Sequence, residues 1–309
     1  MDLVTLRDVQ AAAVRIERIA IRTPLLPFGE DFWLKPENLQ PIGAFKIRGA
    51  ANAIAALEPS AVITHSSGNH GRALAYAAAR RKIPVTVVMP DTSPKVKVDA
   101  IAALGAEIVM VPPPQRLEVA EKLAAERGAT LIPPFDHPEV IAGQGTIGLE
   151  ILEDLAEQPE ADVIIVPVGG GGLISGIAAA VKALRPACRI IGVEPELAAE
   201  SAESLQRDRL IKWPTEKTYQ TVADGVRTAP SALTFAHMRE YVDDIITVSD
   251  EEILKAVGVL ATQARLVVEP SGAISVAAYL YRRGFLPGGR TAAVISGGNV
   301  DPELLRSCL

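Results

Sequence analysis

Cysteine is scarce in this chain: there are two in 309 residues, Cys188 and Cys308, far apart and without a CxxC spacing. That excludes a disulfide framework and a thiolate metal site, and it fits a reducing cytoplasm. No stretch approaches the roughly 18 unbroken apolar residues of a membrane span. The opening MDLVTLRDVQ lacks a basic flank followed by an apolar run, so no signal peptide is expected. A basic stripe is missing too. Lys+Arg number 31 against 37 Asp+Glu, a net charge of -6, which argues against nucleic acid or an anionic membrane as partner. There are no repeats or low-complexity tracts, and His65 and His70 have no ligand spacing with other His or Cys residues. What is present is 49% hydrophobic and 22% charged, the balance of a globular chain long enough for one large domain or two ordinary ones.

The pattern that fills this length is an alternation. Leu6, Val9, Ala13, Ile16 and Ala20 recur at helical spacing, with Thr5 and Asp8 as a cap. From residue 61, AVITH, IPVTVVMP and AEIVMV read as strands, separated by the helical GRALAYAAARR and SPKVKVDAIAAL. RLEVAEKLAAER then closes on Gly128. After residue 138 the strands VIIVPV, CRIIGVEP, DDIITVS and TAAVISG follow, with a helix over about 173–184 and another capped by Ser249 and Glu252. Such alternation implies βαβ units and parallel sheets. PPFDHPEVIAGQG, between the two blocks, reads as a hinge, and RLIKWPTEKTYQTVADGVRTAPS as a long loop.

In open α/β sheets ligands bind beyond the carboxyl ends of strands, and three loops are expected there. In VGGGGLISG, Gly169–Gly172 leave backbone N–H groups facing outward at a helix start, a cradle for an anion; a tightly packed turn is the plainer account. THSSGNHG offers Ser66, Ser67, Asn69 and local amides to a carboxylate, though alone it reads as an N-cap cluster for a helix starting at Gly71. ISGGN alone is an ordinary turn. In VEPELAAE, Glu194 and Glu200 flank a free carbonyl and could take a hard cation, or form a solvated acidic loop. Lys46, in PIGAFKIRGA, has no acidic neighbour in sequence; a second cation, Arg48, follows. Burial would make Lys46 a nucleophile toward carbonyls, but sequence alone does not tell burial.

Together NLQPIGAFKIRGA, THSSGNHG, VIAGQGT, VPVGGGGL, GVEP, VADGVR, VEPSGA and SGGNVD occur in the order of the fold type II (tryptophan synthase β-like) pyridoxal-phosphate enzymes. The chain resembles their serine/threonine dehydratase and serine racemase branch from about residue 20 to 302. The resemblance implies an α/β fold of two domains, each a mainly parallel open sheet flanked by helices. The large cofactor-binding domain would span 1–58 and 138–309, and the small one, closing over substrate, 59–137. It implies that Lys46 forms the Schiff base and then acts as a base, and that Phe45 packs beside the ring. Gly169, Gly170, Gly171, Gly172 and Leu173 would hold the phosphate, Asn69 the ring 3-hydroxyl, and Ser296 would face the pyridine nitrogen. Ser66, Ser67, Gly68, Asn69 and His70 would bind the substrate carboxylate. Ser67 would also stand opposite Lys46 as the second acid/base of a racemase. Arg116 and Arg227 would lie near the substrate pocket. Glu194, the backbone of Ala198, and Glu200 match a site for Mg²⁺ or Ca²⁺. A cytoplasmic homodimer acting on a small amino acid is implied as well.

The chain departs from the branch at Ala44, where many relatives carry serine, at Glu200, where aspartate is common, and at Phe135, where racemase-like members tend to be polar. No regulatory segment is expected after residue 309, so the short catabolic enzymes are expected to match better than the allosteric ones. A neutral hydroxyl at residue 296 favours prompt loss of a β-hydroxyl, so the expected activity is elimination from L-threonine or L-serine to a 2-oxo acid and ammonia. The alternatives are a serine or aspartate racemase with side elimination, and a dehydratase of 3-hydroxyaspartate or a bulkier β-hydroxy amino acid.

Overall fold

The computed structural model describes residues 2–66, 68–155 and 162–309. The apolar runs pair into two sheets. The strands are β1 (Leu26–Pro27), β2 (Phe32–Pro36), β3 (Val62–Thr64), β4 (Val85–Pro90), β5 (Glu107–Val111), β6 (Thr130–Leu131), β7 (Val163–Pro167), β8 (Arg189–Pro195), β9 (Asp244–Val248) and β10 (Thr291–Ile295). One sheet has the order β1-β2-β10-β7-β8-β9, parallel except for β1. The other has the order β5-β4-β3-β6 and is wholly parallel. The chain is thus α/β, with helices covering parallel sheets. Every residue of β7 and β10 is buried, which is why those strands carry unbroken apolar runs rather than alternation. Strand membership leads us to propose 59–137 as a small domain, and 1–58 with 138–309 as a large one. Among the described residues no helix is long and apolar enough to cross a membrane.

Helix Lys46–Leu57 packs into the apolar cluster of the small sheet. Ile47, Ala50, Ala51 and Ile54 of helix Lys46–Leu57 pack with Ala73, Leu74 and Ala77 of helix Asn69–Arg81 and with Val62, Val85 and Met89 of the small sheet. Alanines on both facing helices permit this close contact.

The expected hinge, residues 133–145, is helical from residue 138 on. Pro138–Asp154 runs unbroken over 17 residues, started by His137, whose side chain accepts from the Glu139 amide, and by Pro at its first position. Its glycines, which suggested flexibility, are sites of close approach. A Cβ on Gly143 would lie 2.6 Å from the Arg48 carbonyl oxygen, and one on Gly145 would lie 2.7 Å from that of Gly176. The helix thereby lies backbone-to-backbone against helix Lys46–Leu57 on one side and helix Gly172–Leu184 on the other.

Arg48 is not a surface cation. Its guanidinium is buried and forks onto Glu37, with Nε and Nη2 each 2.8 Å from a carboxylate oxygen. It also donates to Glu150 at 2.6 Å and 2.8 Å. Lys35 donates to Glu150 and to the Thr23 carbonyl, each at 2.6 Å. Two cations and two anions thus neutralise one another inside the fold. Burial pushes the Glu37 carboxyl up, but Arg48, Lys35 and Thr23 together outweigh it and hold the group below its ordinary 4.5.

Candidate active site

Lys46 opens helix Lys46–Leu57. The residue is partly exposed, yet the protein packed around its amine strips that amine of water. Burial draws its pKa down from 10.5 to about 8, and the helix N-terminus behind it also disfavours a cation. Nζ donates to the Pro134 carbonyl oxygen at 2.7 Å and lies 5.0 Å from the centre of the Phe45 ring.

The loops after β3, β7 and β10 converge on this lysine. The Phe45 amide donates to the Ser296 carbonyl at 3.0 Å, and Ala44 bridges to Gly297. The next residue after Pro134, Phe135, lies on the glycine loop: a Cβ on Gly170 would come within 2.4 Å of its ring. Gly171 has φ +84 and stands just before helix Gly172–Leu184, where glycine alone is unstrained. The first amides of that helix have no helical carbonyl to bind. Packing thus explains why Gly170 is glycine, and helix-start amides without a helical partner are what the loop can offer an anion.

His70 is buried beside Lys46. Burial, then the Lys46 charge, push its pKa down to about 3, so the ring is neutral. Nε2 lies 2.9 Å from the Ile132 carbonyl, which can only accept, so Nε2 carries the proton. Nδ1 is then a bare acceptor, and it has no partner among the described residues. A buried acceptor left open beside an amine calls for a ligand.

Asn69 begins helix Asn69–Arg81 with Gly68 as the cap residue, and among the described residues no side chain caps it. The helix thus starts two residues before the expected Gly71. Asn69 Nδ2 donates to Glu269 at 2.7 Å, and its Oδ1 accepts from Asn299 at 2.7 Å. The Ser296 hydroxyl donates to the Ser271 carbonyl at 3.2 Å. Ser66 Oγ accepts from the Gly68 amide at 3.3 Å, and Leu173 is buried in the first turn after the loop. Ser67 lies outside the described residues.

Residues 16–297 match the family model described as "Pyridoxal-phosphate dependent enzyme". The chain belongs to that family. Its site suits the cofactor on its own terms: a lysine amine of lowered proton affinity, an orphaned buried acceptor in His70, and helix-start amides for a phosphate. The relatives are close over full length. L-threo-3-hydroxyaspartate ammonia-lyase of Saccharomyces cerevisiae is 42% identical over 97% of this chain and 95% of its own. The structure of a T.th. threonine deaminase superposes with a TM-score of 0.91 at 44% identity, covering 96% of this chain and 99% of that one. Maize serine racemase gives 0.92 at 38% identity, covering 99% and 97%.

Around this pyridoxal-phosphate site the other expected residues divide. Arg116 opens helix Arg116–Arg127, and its charge, after burial, lowers the His65 pKa. Its Nε donates to the Pro113 carbonyl at 3.1 Å. Arg227 follows Val226, which packs on Gly169 of the glycine loop; its guanidinium donates twice to the Thr221 carbonyl and lies over the Tyr219 ring, 5.4 Å from the centroid. Glu194 and Glu200 are not a solvated loop, being 1% and 3% exposed. Glu194 accepts from the amides of Ser201 and Ala202 at 3.0 and 2.8 Å. Burial raises its pKa to about 8, and the Glu200 charge adds to the rise. Ala198 is fully buried between them in sequence. Both Glu194 oxygens are thus taken by main-chain amides, and among the described residues no group of three or more His, Cys, Asp or Glu side chains comes together as a metal site.

Sequence reasoning did not assign Glu269, Asn299 or the Pro134 carbonyl to the site. Glu269 had a readable signal: an acid just before a proline at a helix start, where Ser, Thr, Asp or Asn would be the usual cap.

Proposed function

We propose that this chain is a pyridoxal-phosphate-dependent ammonia-lyase that eliminates the β-hydroxyl of a small amino acid such as L-threonine or L-serine, releasing a 2-oxo acid and ammonia. The observation that carries this reading is the Lys46 amine, lowered to about 8 by burial, where the glycine loop and the neutral Ser296 hydroxyl meet. Bound pyridoxal phosphate supplies an electron sink for charge developing at the substrate α-carbon. The glycine-loop amides hold an anion without a counter-charged side chain. Lys46 Nζ, part of it unprotonated near neutral pH, takes the α-proton. His70 Nδ1 accepts from a donor on the substrate, and the loop of Ser66, Ser67, Gly68 and Asn69 supplies donors for a carboxylate. Ser296 offers a hydroxyl rather than a carboxylate, which would favour a protonated ring nitrogen.

The substrate class includes 3-hydroxyaspartate. The 42% identical relative named for that substrate supports it. A panel of β-hydroxy amino acids scored for 2-oxo acid release, with chiral analysis of the remainder, tests the reading. Release from at least one of them is expected, and none from any would overturn it. Appearance of D-product that disappears in Ser67→Ala would add racemisation with Ser67 as second acid/base.

Glu194, the Ala198 backbone and Glu200 would hold Mg²⁺ or Ca²⁺ in the cytoplasmic homodimer inferred here. Chelation should lower the Tm by several degrees, Mg²⁺ or Ca²⁺ should restore it, and Glu194→Ala should abolish the response. A Tm indifferent to chelator in the unaltered protein removes the cation from this proposal.

A further inference from the structure

We propose that Glu269 is a positioning residue of the site: acting through Asn69, it holds that carboxamide so that its second N–H is presented to the phenolic oxygen of the cofactor. The inference rests on the pyridoxal-phosphate site described above, and on Asn69 facing that oxygen.

The geometry comes from groups whose hydrogen-bonding sense is fixed. Arg72 can only donate, and its Nη1 lies 2.7 Å from Asn299 Oδ1. The Ile42 carbonyl can only accept, and it lies 2.9 Å from Asn299 Nδ2. The orientation of the Asn299 amide is therefore set. Its second N–H meets Asn69 Oδ1 at 2.7 Å, which sets the Asn69 amide in turn. At the far end, Asn69 Nδ2 meets the Glu269 carboxylate at 2.7 Å. Turning the Asn69 amide over would place oxygen against carboxylate and NH₂ against NH₂, losing both contacts. One N–H of Asn69 is left, with a fixed direction.

Glu269 is built into this place. It is 6% exposed and stands at the start of helix Pro270–Tyr281, yet its side chain makes no capping hydrogen bond there. It turns instead toward Asn69, across a gap kept open by Gly297. A Cβ on Gly297 would lie 2.3 Å from Glu269 Oε1. The charged groups facing Glu269 are Asp224 and Lys97, themselves paired at 3.2 Å. Burial, then Asp224, raise the Glu269 pKa to about 7, against the opposing Asn69 bond and Lys97. Sequence placed VEPSGA among the family motifs but gave its acid no task.

The test is reconstitution of the cofactor-free protein with pyridoxal phosphate, reading the dissociation constant and the pH midpoint of the bound cofactor's absorption. Glu269→Ala should weaken binding about tenfold, the loss of one charged hydrogen bond, and move the midpoint. Glu269→Gln, which keeps an acceptor, should restore most of the affinity. In an Asn69→Ala background Glu269→Ala should add nothing. Unchanged affinity and midpoint in Glu269→Ala, or effects that simply add to those of Asn69→Ala, overturn the proposal. If Asn69→Ala alone changes neither quantity, the placement of Asn69 against the cofactor fails first, and the proposal with it. Should the alanine variant not fold, Glu269→Met fills the same volume without a carboxylate and is read in the same way.

Discussion

Lys46→Ala should abolish turnover, lowering kcat by at least about a thousandfold, and should leave the cofactor-free chain no less stable at neutral pH. Both effects have one cause. The lysine is the group that must bond the cofactor and move the proton, so nothing else in the cleft replaces it. Its ammonium is also disfavoured where it sits. The folded-state pKa, about 8, lies below the ordinary 10.5, so between those values the unfolded chain binds more protons than the folded one. Stability of the cofactor-free protein should therefore rise as pH increases from about 8 to 10.5, by up to about 1.4 kcal/mol per tenfold loss of proton affinity. In Lys46→Ala that rise should disappear. Urea titrations at pH 7.5 and pH 10 check the second effect, and steady-state rates check the first. Activity within tenfold of the unaltered enzyme would remove Lys46 from the mechanism.

Arg48→Met should destabilise the fold by about 3–5 kcal/mol, because it leaves Glu37 charged and fully buried. For a chain of this length that corresponds to a fall in Tm on the order of 6 °C. The double variant Glu37→Leu/Arg48→Met should be more stable than either single one. It removes one charge of each sign and leaves Lys35 paired with Glu150 at 2.6 Å. Glu37 gives the matching pH dependence. Its folded pKa lies below 4.5, so its contribution is present above pH 4.5 and is lost as the pH falls through the lower folded value. Thermal scans of the three variants at pH 7 decide it. A single Arg48→Met variant within 1 kcal/mol of the parent would mean that the network contributes little.

These two residues, two positions apart, mark what the sequence let one read. Lys46 was legible because its partners form motifs: glycines beyond one strand, serines and an asparagine beyond another, a hydroxyl beyond a third. Apolar runs such as VIIVP and capping pairs such as Thr5 with Asp8 were equally plain, since propensity and packing agree there. Arg48 was illegible. Its partners Glu37 and Glu150 lie 11 and 102 positions away, and no local pattern announces a buried pair. Helix Pro138–Asp154 was misread for the opposite reason: its proline and glycines carry a strong local signal of interruption. Pro138 sits where a helix accepts proline, and the glycines answer to neighbours distant in sequence.

That helix has a consequence for how the reaction centre keeps its dimensions. The lysine begins one helix and the glycine loop begins another, and both helices bear on the same rod through main-chain contacts at Gly143, Gly145 and Gly176. Main-chain contacts have no rotamers to absorb an error. The rod works as a gauge block: it sets the span between amine and cradle to a tolerance that side-chain packing would not hold, and a single methyl added at any of the three glycines would change the setting.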